Sequence, residues 1–416
     1  MKFCEKWKIW LEGVWNEMQH LAAGEGKRMR PLSYTKPKVM LPLANKPILE
    51  WNLINAIEAG FKEFIFIVGY RGEMIKEYFG DGSKWGVAIE YLNQGKPLGT
   101  AHAVSLLKNF VDDFVVMCGD TIFGKDDIKR VKNCENSIGI FEVENAKEYG
   151  IVEMDEGKII KIHEKMEEPF SNVINAGIYH FNEKIFEFIE KTDKSPRGEY
   201  EITDSINLMA KEEEIKGIML KEWRDVVYPW DLLEANKEIL EKIDGKIEGD
   251  VEKNVTMNGK VIVGEGSRIM SGSYIEGPVI IGRNCKIGPN CYIRPYTSIG
   301  NNCHIGNASE VKNSIIMDGS NVPHQNYVGD SIIGSNCNLG AGTKVANLRL
   351  DKKNISVYLN GKKIDTGRRK LGVIMGDNVQ TGINSMLNVG TIVGNDVFIG
   401  PGAIAKGEIE PYAKIM

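Results

Sequence analysis

Ile281-Gly282-Arg283-Asn284-Cys285-Lys286-Ile287-Gly288-Pro289-Asn290-Cys291-Tyr292-Ile293 puts an aliphatic residue at every sixth position, and the beat runs on through Ile299, Ile305 and Val311. Glycine follows directly at Gly282, Gly288, Gly300 and Gly306. The beat resumes at Ile333, Leu339 and Val345, and again at Met375, Thr381, Leu387, Val393 and Ile399. A period of six fits neither a helix nor a simple alternating strand. It is the signal of a hexapeptide β-helix, in which each aliphatic side chain points into the coil and stacks on those above and below. Cys285, Cys291, Cys303 and Cys337 each sit four residues after a stacked aliphatic. There a small buried thiol fills core, which suits the position better than metal binding. Residues 346–372 leave the beat. Inside them Asn360-Gly361, between Val357-Tyr358-Leu359 and Ile364, predicts a β-hairpin thrown out of the coil. His324 to Asp330 reads as a loop that interrupts the coil.

The rest of the chain reads differently. Phe64-Ile65-Phe66-Ile67-Val68 and Phe114-Val115-Val116-Met117 are buried-strand runs, while Ile48 to Ala59 and Ala101 to Leu107 carry helical spacing. Strands alternating with helices predict a mostly parallel sheet covered on both faces, with ligands beyond the carboxyl ends of its strands. Phe3, Trp7, Trp10, Leu11 and Val14 fall at helical spacing and predict a short amphipathic helix in an atypical N-terminal segment, residues 1–20. The expected domains are then 21–245 and 250–410.

With 416 residues, 42% hydrophobic and a net charge of −5, the chain has ample core and no basic block suited to nucleic acid. No apolar run approaches the roughly 20 residues of a membrane span, and the N-terminus is no convincing signal peptide. A cytoplasmic chain with no membrane partner is expected. Seven cysteines, with no C-x-x-C pair, read as reduced thiols.

Leu21-Ala22-Ala23-Gly24-Glu25-Gly26-Lys27-Arg28-Met29-Arg30-Pro31-Leu32, followed by Lys36-Pro37-Lys38, packs glycines and cations into one loop. Glycine lets backbone approach a phosphate, and N–H groups, Arg28 and Lys38 can hold a polyanion. Val115-Val116-Met117-Cys118-Gly119-Asp120 ends an apolar strand in a carboxylate. Asp231 lies in Tyr228-Pro229-Trp230-Asp231-Leu232-Leu233-Glu234-Ala235-Asn236. Alone, either aspartate reads as a helix cap.

Together these strings resemble the sugar-1-phosphate nucleotidylyltransferases, which join a nucleoside triphosphate to a sugar phosphate and release pyrophosphate. The resemblance implies Arg28 and Lys38 as catalytic residues, and Asp120 and Asp231 as Mg²⁺ ligands. Leu21, Ala22, Gly24 and Gly26 would cradle the nucleotide. Gln94-Gly95-Lys96-Pro97-Leu98-Gly99-Thr100-Ala101-His102-Ala103 resembles the base-reading segment of the uridylyltransferase branch, with Gln94, Gly99 and Thr100 at the nucleotide. His102 reads as a packing histidine. Gly150, Glu164 and Asn175 resemble the residues that line the hexose pocket, and the segment Arg197 to Asp204 reads as structural.

The hexapeptide half resembles the left-handed β-helix acyltransferases. Its His324-Gln325-Asn326-Tyr327-Val328-Gly329-Asp330 and Asn338-Leu339-Gly340-Ala341-Gly342-Thr343 resemble the acetyltransferase half of the bifunctional N-acetylglucosamine-1-phosphate uridylyltransferase / glucosamine-1-phosphate N-acetyltransferase family, archaeal type. That resemblance implies His324 as general base. Arg294, Lys312, Tyr327, Asn338, Asn347 and Lys353 would hold sugar phosphate or acetyl-CoA. It also implies a homotrimer through the β-helix. The implied fold class is α/β: a Rossmann-like, mixed and mostly parallel nucleotidyltransferase sheet, then a left-handed parallel β-helix. The implied substrates are UTP or dTTP, sugar 1-phosphates and acetyl-CoA.

Two rival readings share this architecture. One is a glucose-1-phosphate uridylyl- or thymidylyltransferase with a silent β-helix. The other is a non-catalytic regulatory scaffold. The chain departs from the family at its start, where Asn16-Glu17-Met18-Gln19-His20 stands in place of an apolar, β-branched run. Polar residues there are costly in a buried parallel sheet. An altered reading frame or start, or lineage variation, would account for them.

Overall fold

The computed structural model describes residues 17–22, 24 and 26–416. They form two compact units. The first takes the described residues up to Gly24 and Leu49–Arg224; the second takes those from Gly26 to Ile48 and Asp225–Met416. The amphipathic helix expected around Phe3 to Val14 lies outside the described residues.

Among the described residues of the first unit, nine strands make one sheet. They are β1 (Glu17–Ala22), β2 (Glu63–Val68), β3 (Ala88–Asn93), β4 (Asp113–Cys118), β5 (Ser137–Glu142), β6 (Gly150–Asp155), β7 (Lys158–Glu164), β8 (Val173–Asn182) and β9 (Lys216–Met219). Their order is β3-β2-β1-β4-β8-β5-β9-β7-β6. The first four run parallel, and β8 is antiparallel to both β4 and β5. The apolar runs of β2 and β4 are buried, as continuous apolar strands between helix layers should be. The helices Ile48–Glu58 and Thr100–Ser105 stand where the helical spacing put them.

β1 corrects the reading of residues 17–20 as part of a separate N-terminal segment. They are strand, paired parallel to β2 on one side and β4 on the other. Backbone bonding on both edges and the buried Met18 and Ala22 win over side-chain polarity. The conflict is not removed. Gln19 and His20 are fully buried, and among the described residues neither side-chain polar group finds a hydrogen-bond partner. The His20 ring lies 6.1 Å from Phe64 and 5.1 Å from Phe66.

In the second unit the left-handed β-helix stacks its strands into three parallel sheets of nine, nine and eight strands. One core column reads Val263, Ile281, Ile299, Ile316, Ile333, Met375, Val393, Ile409, register by register. The four repeat cysteines are buried in this core as unpaired thiols, and Cys285 Sγ donates to the Gly300 carbonyl at 3.0 Å. The hairpin appears as β10 (Ser356–Leu359) and β11 (Lys362–Asp365), turning at Asn360-Gly361, both with positive φ.

One sequence expectation is corrected. Between Val311 and Ile333 the coil is not interrupted. Ile316, Val322 and Val328 are buried rungs, and His324 occupies a corner between the strands Asn321–Val322 and Tyr327–Gly329. Two corners are shortened by one residue, which breaks the six-residue beat without breaking the stack.

Candidate active sites

In the first unit the candidate residues gather at strand ends and the turns beyond them. Leu21 and Ala22 close β1, and the Leu21 carbonyl accepts the Gly119 N–H at 3.0 Å, so β1 and the Gly119-Asp120 turn are fixed together. Asp120 is half-buried just past β4, and Gly24 is exposed. Gln94 is buried; its amide donates to the Gly99 carbonyl at 2.9 Å and lies 3.3 Å from His102 Nδ1. His102 thus packs inside this segment, as expected of a packing histidine. Gly99 has φ +113, and a Cβ on it would sit 2.3 Å from the Tyr200 carbonyl oxygen, so only glycine fits. The Thr100 hydroxyl accepts the Ile202 N–H at 2.9 Å.

On the same unit, Glu164 accepts from Thr203 Oγ1 at 3.0 Å and faces Arg197 at 3.5 Å. Arg197 also pairs with Glu201 at 3.0 Å. Asn175 donates to the Tyr179 hydroxyl at 2.8 Å and accepts the Gly177 N–H at 3.2 Å. Burial, then the nearby Cys118, pushes the Tyr179 hydroxyl well above its ordinary pKa, so it stays a neutral support for Asn175. A Cβ on Gly150 would lie 3.2 Å from Glu164 Oε1, so the glycine leaves the carboxylate room. Arg197 and Thr203, read from sequence as structural, are therefore partners of Glu164. Their separation from it along the chain hid this.

In the second unit the phosphate loop is a chain of tight turns. Gly26 has φ +63, and its Cα packs on Lys38, since a Cβ there would meet Lys38 Cβ at 3.1 Å. Ser33 Oγ donates to the Gly26 carbonyl at 2.8 Å. Arg28 is exposed, with its guanidinium 6.0 Å from the Tyr228 ring centroid. Asp231 opens the helix Asp231–Lys242, and its Oδ2 accepts the N–H groups of Val227 at 2.9 Å and Tyr228 at 2.7 Å. Burial pushes its carboxyl above the ordinary range, against the pull of those N–H groups, Lys38 and Arg368. Both bonds use Oδ2. A carboxylate is the hard oxygen donor that Mg²⁺ takes, so the donor chemistry of Asp231 fits a metal ligand.

On the β-helix a second cluster forms around Asp330, which is 3% exposed. It accepts from Lys312 Nζ at 3.1 Å, Asn313 Nδ2 at 2.8 Å and Asn347 Nδ2 at 2.6 Å. Asn347 Nδ2 also lies 3.1 Å from the Tyr327 hydroxyl. Lys312, Tyr327 and Asn347 are thus brought together from three coils. A cavity of about 440 Å³ opens beside Tyr327, Lys344, Ala346, Asn347, Met386 and Ile404. Arg294 pairs with Glu310 at 2.9 Å. Asn338 stands on another face, in the ladder His304, Asn321, Asn338, Gln380. His324 is an exposed corner residue near that ladder, close enough to help lower the His304 pKa, after burial. Lys353 is exposed, its N–H on Asp351 at 3.2 Å, and it is not part of the Asp330 network. Asp330 itself escaped the sequence reading, because only folding brings its three donors together.

Among the described residues no helix is long and apolar enough to cross a membrane. A family profile described as "Nucleotidyl transferase" matches residues 21–242, and one described as "GMPPB C-terminal domain" matches 275–415. The chain is 47% identical over 393 residues to a "Bifunctional protein GlmU" of Methanocaldococcus jannaschii, covering 94% of this chain and 95% of the relative. It is 41% identical to a "Bifunctional sugar-1-phosphate nucleotidylyltransferase/acetyltransferase" of Sulfurisphaera tokodaii, covering 94% and 97%. A solved structure of a UDP-glucose pyrophosphorylase with UDP-glucose aligns with 55% of this chain and all of its own, at TM-score 0.50 and 24% identity, a likeness of fold alone.

Proposed function

Because the chain belongs to the bifunctional sugar-1-phosphate nucleotidylyltransferase/acetyltransferase family, we propose that it makes UDP-N-acetylglucosamine in two steps on one sugar. The observation that carries this is the near-full-length match to bifunctional relatives, with candidate residues for both reactions kept in one chain. The β-helix acts first on glucosamine 1-phosphate. The amine attacks the thioester carbonyl of acetyl-CoA, a C–N bond forms, and the C–S bond breaks to release the CoA thiol. His324 takes the amine proton. Lys312, held by Asp330, and Arg294 face the sugar phosphate, while Tyr327, Asn338 and Asn347 orient the sugar or the acyl donor. Lys353 is the outlying member of this set.

The product's phosphate oxygen then attacks the α-phosphorus of UTP in line, and pyrophosphate leaves. Arg28 and Lys38 offset charge developing on the phosphates. Asp120 and Asp231 are the residues to hold Mg²⁺, which when bound neutralises triphosphate charge. Leu21, Ala22, Gly24 and Gly26 carry backbone to the nucleotide, with Gln94, Gly99 and Thr100 shaping the base pocket. Gly150, Glu164 and Asn175 take the sugar. The Thr100 hydroxyl, already engaged by Ile202, serves by holding that pocket's wall. The domains act as 21–245 and 250–410, and the assembly is a homotrimer through the β-helix in the cytoplasm, where UTP and acetyl-CoA are supplied.

A silent β-helix would not need the buried Asp330 network, and a regulatory scaffold would not need Arg28, Lys38, Asp120 and Asp231. The test is a matrix of UTP and dTTP against several sugar phosphates, with and without acetyl-CoA, following pyrophosphate and thiol release. No thiol release with glucosamine 1-phosphate sinks the acetyl step. In the same assay His324→Ala is expected to abolish acetylation and spare uridylyl transfer; loss of both would refute two separate sites.

A further inference from the structure

The phosphate loop does not hold its shape alone. Asp377, on the β-helix just after the rung Val373–Met375, is buried. Its carboxylate accepts Lys36 Nζ at 3.1 and 3.2 Å, Thr35 Oγ1 at 2.6 Å and the Ser335 N–H at 2.7 Å. Lys36 Nζ also donates to Ser335 Oγ at 3.1 Å. Two residues further on stands Lys38. The same segment is pinned again where Asn45 Nδ2 donates to the Ile299 carbonyl at 2.7 Å. Asn236 accepts the Ala44 N–H at 2.8 Å and donates to the Tyr296 carbonyl at 3.1 Å. At the other end of the loop, the hairpin tip places Asn360 Nδ2 3.3 Å from the Lys27 carbonyl, next to Arg28. That tip is itself clamped, since the N–H groups of Asn360 and Gly361 donate to Glu408 at 2.7 and 3.1 Å.

We infer that Asp377 is a positioning residue for nucleotidyl transfer, although it lies in the acetyltransferase β-helix. It locks Thr35-Lys36 and so sets where Lys38 stands, while the hairpin steadies the Lys27-Arg28 end. A buried ion pair of this kind earns little net stability, and its value lies in fixing one geometry. The inference rests on the assignment of Arg28 and Lys38 to the triphosphate.

The experiment uses full-length chain carrying Asp377→Asn, Asp377→Glu, Lys36→Met and the double variant Lys36→Met with Asp377→Asn. Melting, acetyl transfer and uridylyl transfer are measured on each. Misplacing a catalytic cation by about 1 Å costs on the order of a hundredfold. Asp377→Asn is expected to lose about that much in kcat/KM for UTP, with its acetyl transfer and its KM for N-acetylglucosamine 1-phosphate unchanged. Asp377→Glu should recover part of the loss, and the double variant should be no worse than the poorer single one. Variants that keep wild-type UTP kinetics, or lose both activities together, overturn the inference. Wild-type chain that releases no pyrophosphate overturns the functional reading and the inference with it.

Discussion

His20 sits between Phe64 and Phe66 with neither ring nitrogen bonded among the described residues. Burial lowers its pKa from the ordinary 6.5 to about 3. The folded state therefore stays unprotonated where the unfolded chain takes up a proton. Stability is untouched above pH 6.5 and falls as pH drops from there toward 3, by about 1.4 kcal/mol per pH unit. His20→Val should flatten the decline in melting temperature between pH 6.5 and 4, and should raise stability at neutral pH by roughly 1–3 kcal/mol. An unchanged acid profile would show that His20 is solvated in solution. Asp330 is the opposite case, a buried charge fully served. Asp330→Ala leaves Lys312 without its carboxylate, a loss of about 3–5 kcal/mol in stability for such pairs. It should also raise KM for glucosamine 1-phosphate while leaving that for UTP alone. Neither residue stood out equally in the sequence. The polarity of His20 is local and visible, whereas the worth of Asp330 exists only once Lys312, Asn313 and Asn347 converge.

The β-helix was legible because stacking forces one residue type onto one position, coil after coil. The coil built on Ile316, Val322 and Val328 was not, since two corners each lack a residue and shift the count. The hairpin turn was legible too, from Asn360-Gly361, but its destination was not. The structure carries its tip to the Lys27 carbonyl. Asn360→Gly keeps the positive φ and removes one side-chain hydrogen bond, worth about 0.5–1.5 kcal/mol, so a rise in UTP KM of no more than roughly tenfold is expected. At the start of the helix Thr100–Ser105, Gly99 marks a closer approach. Gly99→Ala would drive a methyl into the Tyr200 carbonyl and force the Gln94–Gly99 turn open. It should abolish UTP binding, measured by calorimetry, before it unfolds the chain.

At the scale of the whole chain, the segment from Gly26 to Ile48 belongs by packing to the β-helix unit, although its residues resemble the nucleotidyltransferase half. Leu41 and Leu43 are fully buried there. Amides from Lys38 to Ile48 should therefore exchange hydrogen as slowly as the β-helix rungs, and Asp377→Asn should speed exchange at Thr35 to Leu41 first. The shortened corners have a wider meaning. A residue lost inside a rung would turn an inward side chain outward. At Val311 to Ile316 and Val328 to Ile333 the loss falls between rungs, and the later beat positions Leu339, Val345, Met375, Leu387, Val393 and Ile399 still face the core. Corners are thus where this solenoid can lengthen, shorten or sprout new pieces without re-facing its interior. Residues 346–372 sit at such a corner, so evolution could try out a reaching arm there while the stack beneath went on unaltered.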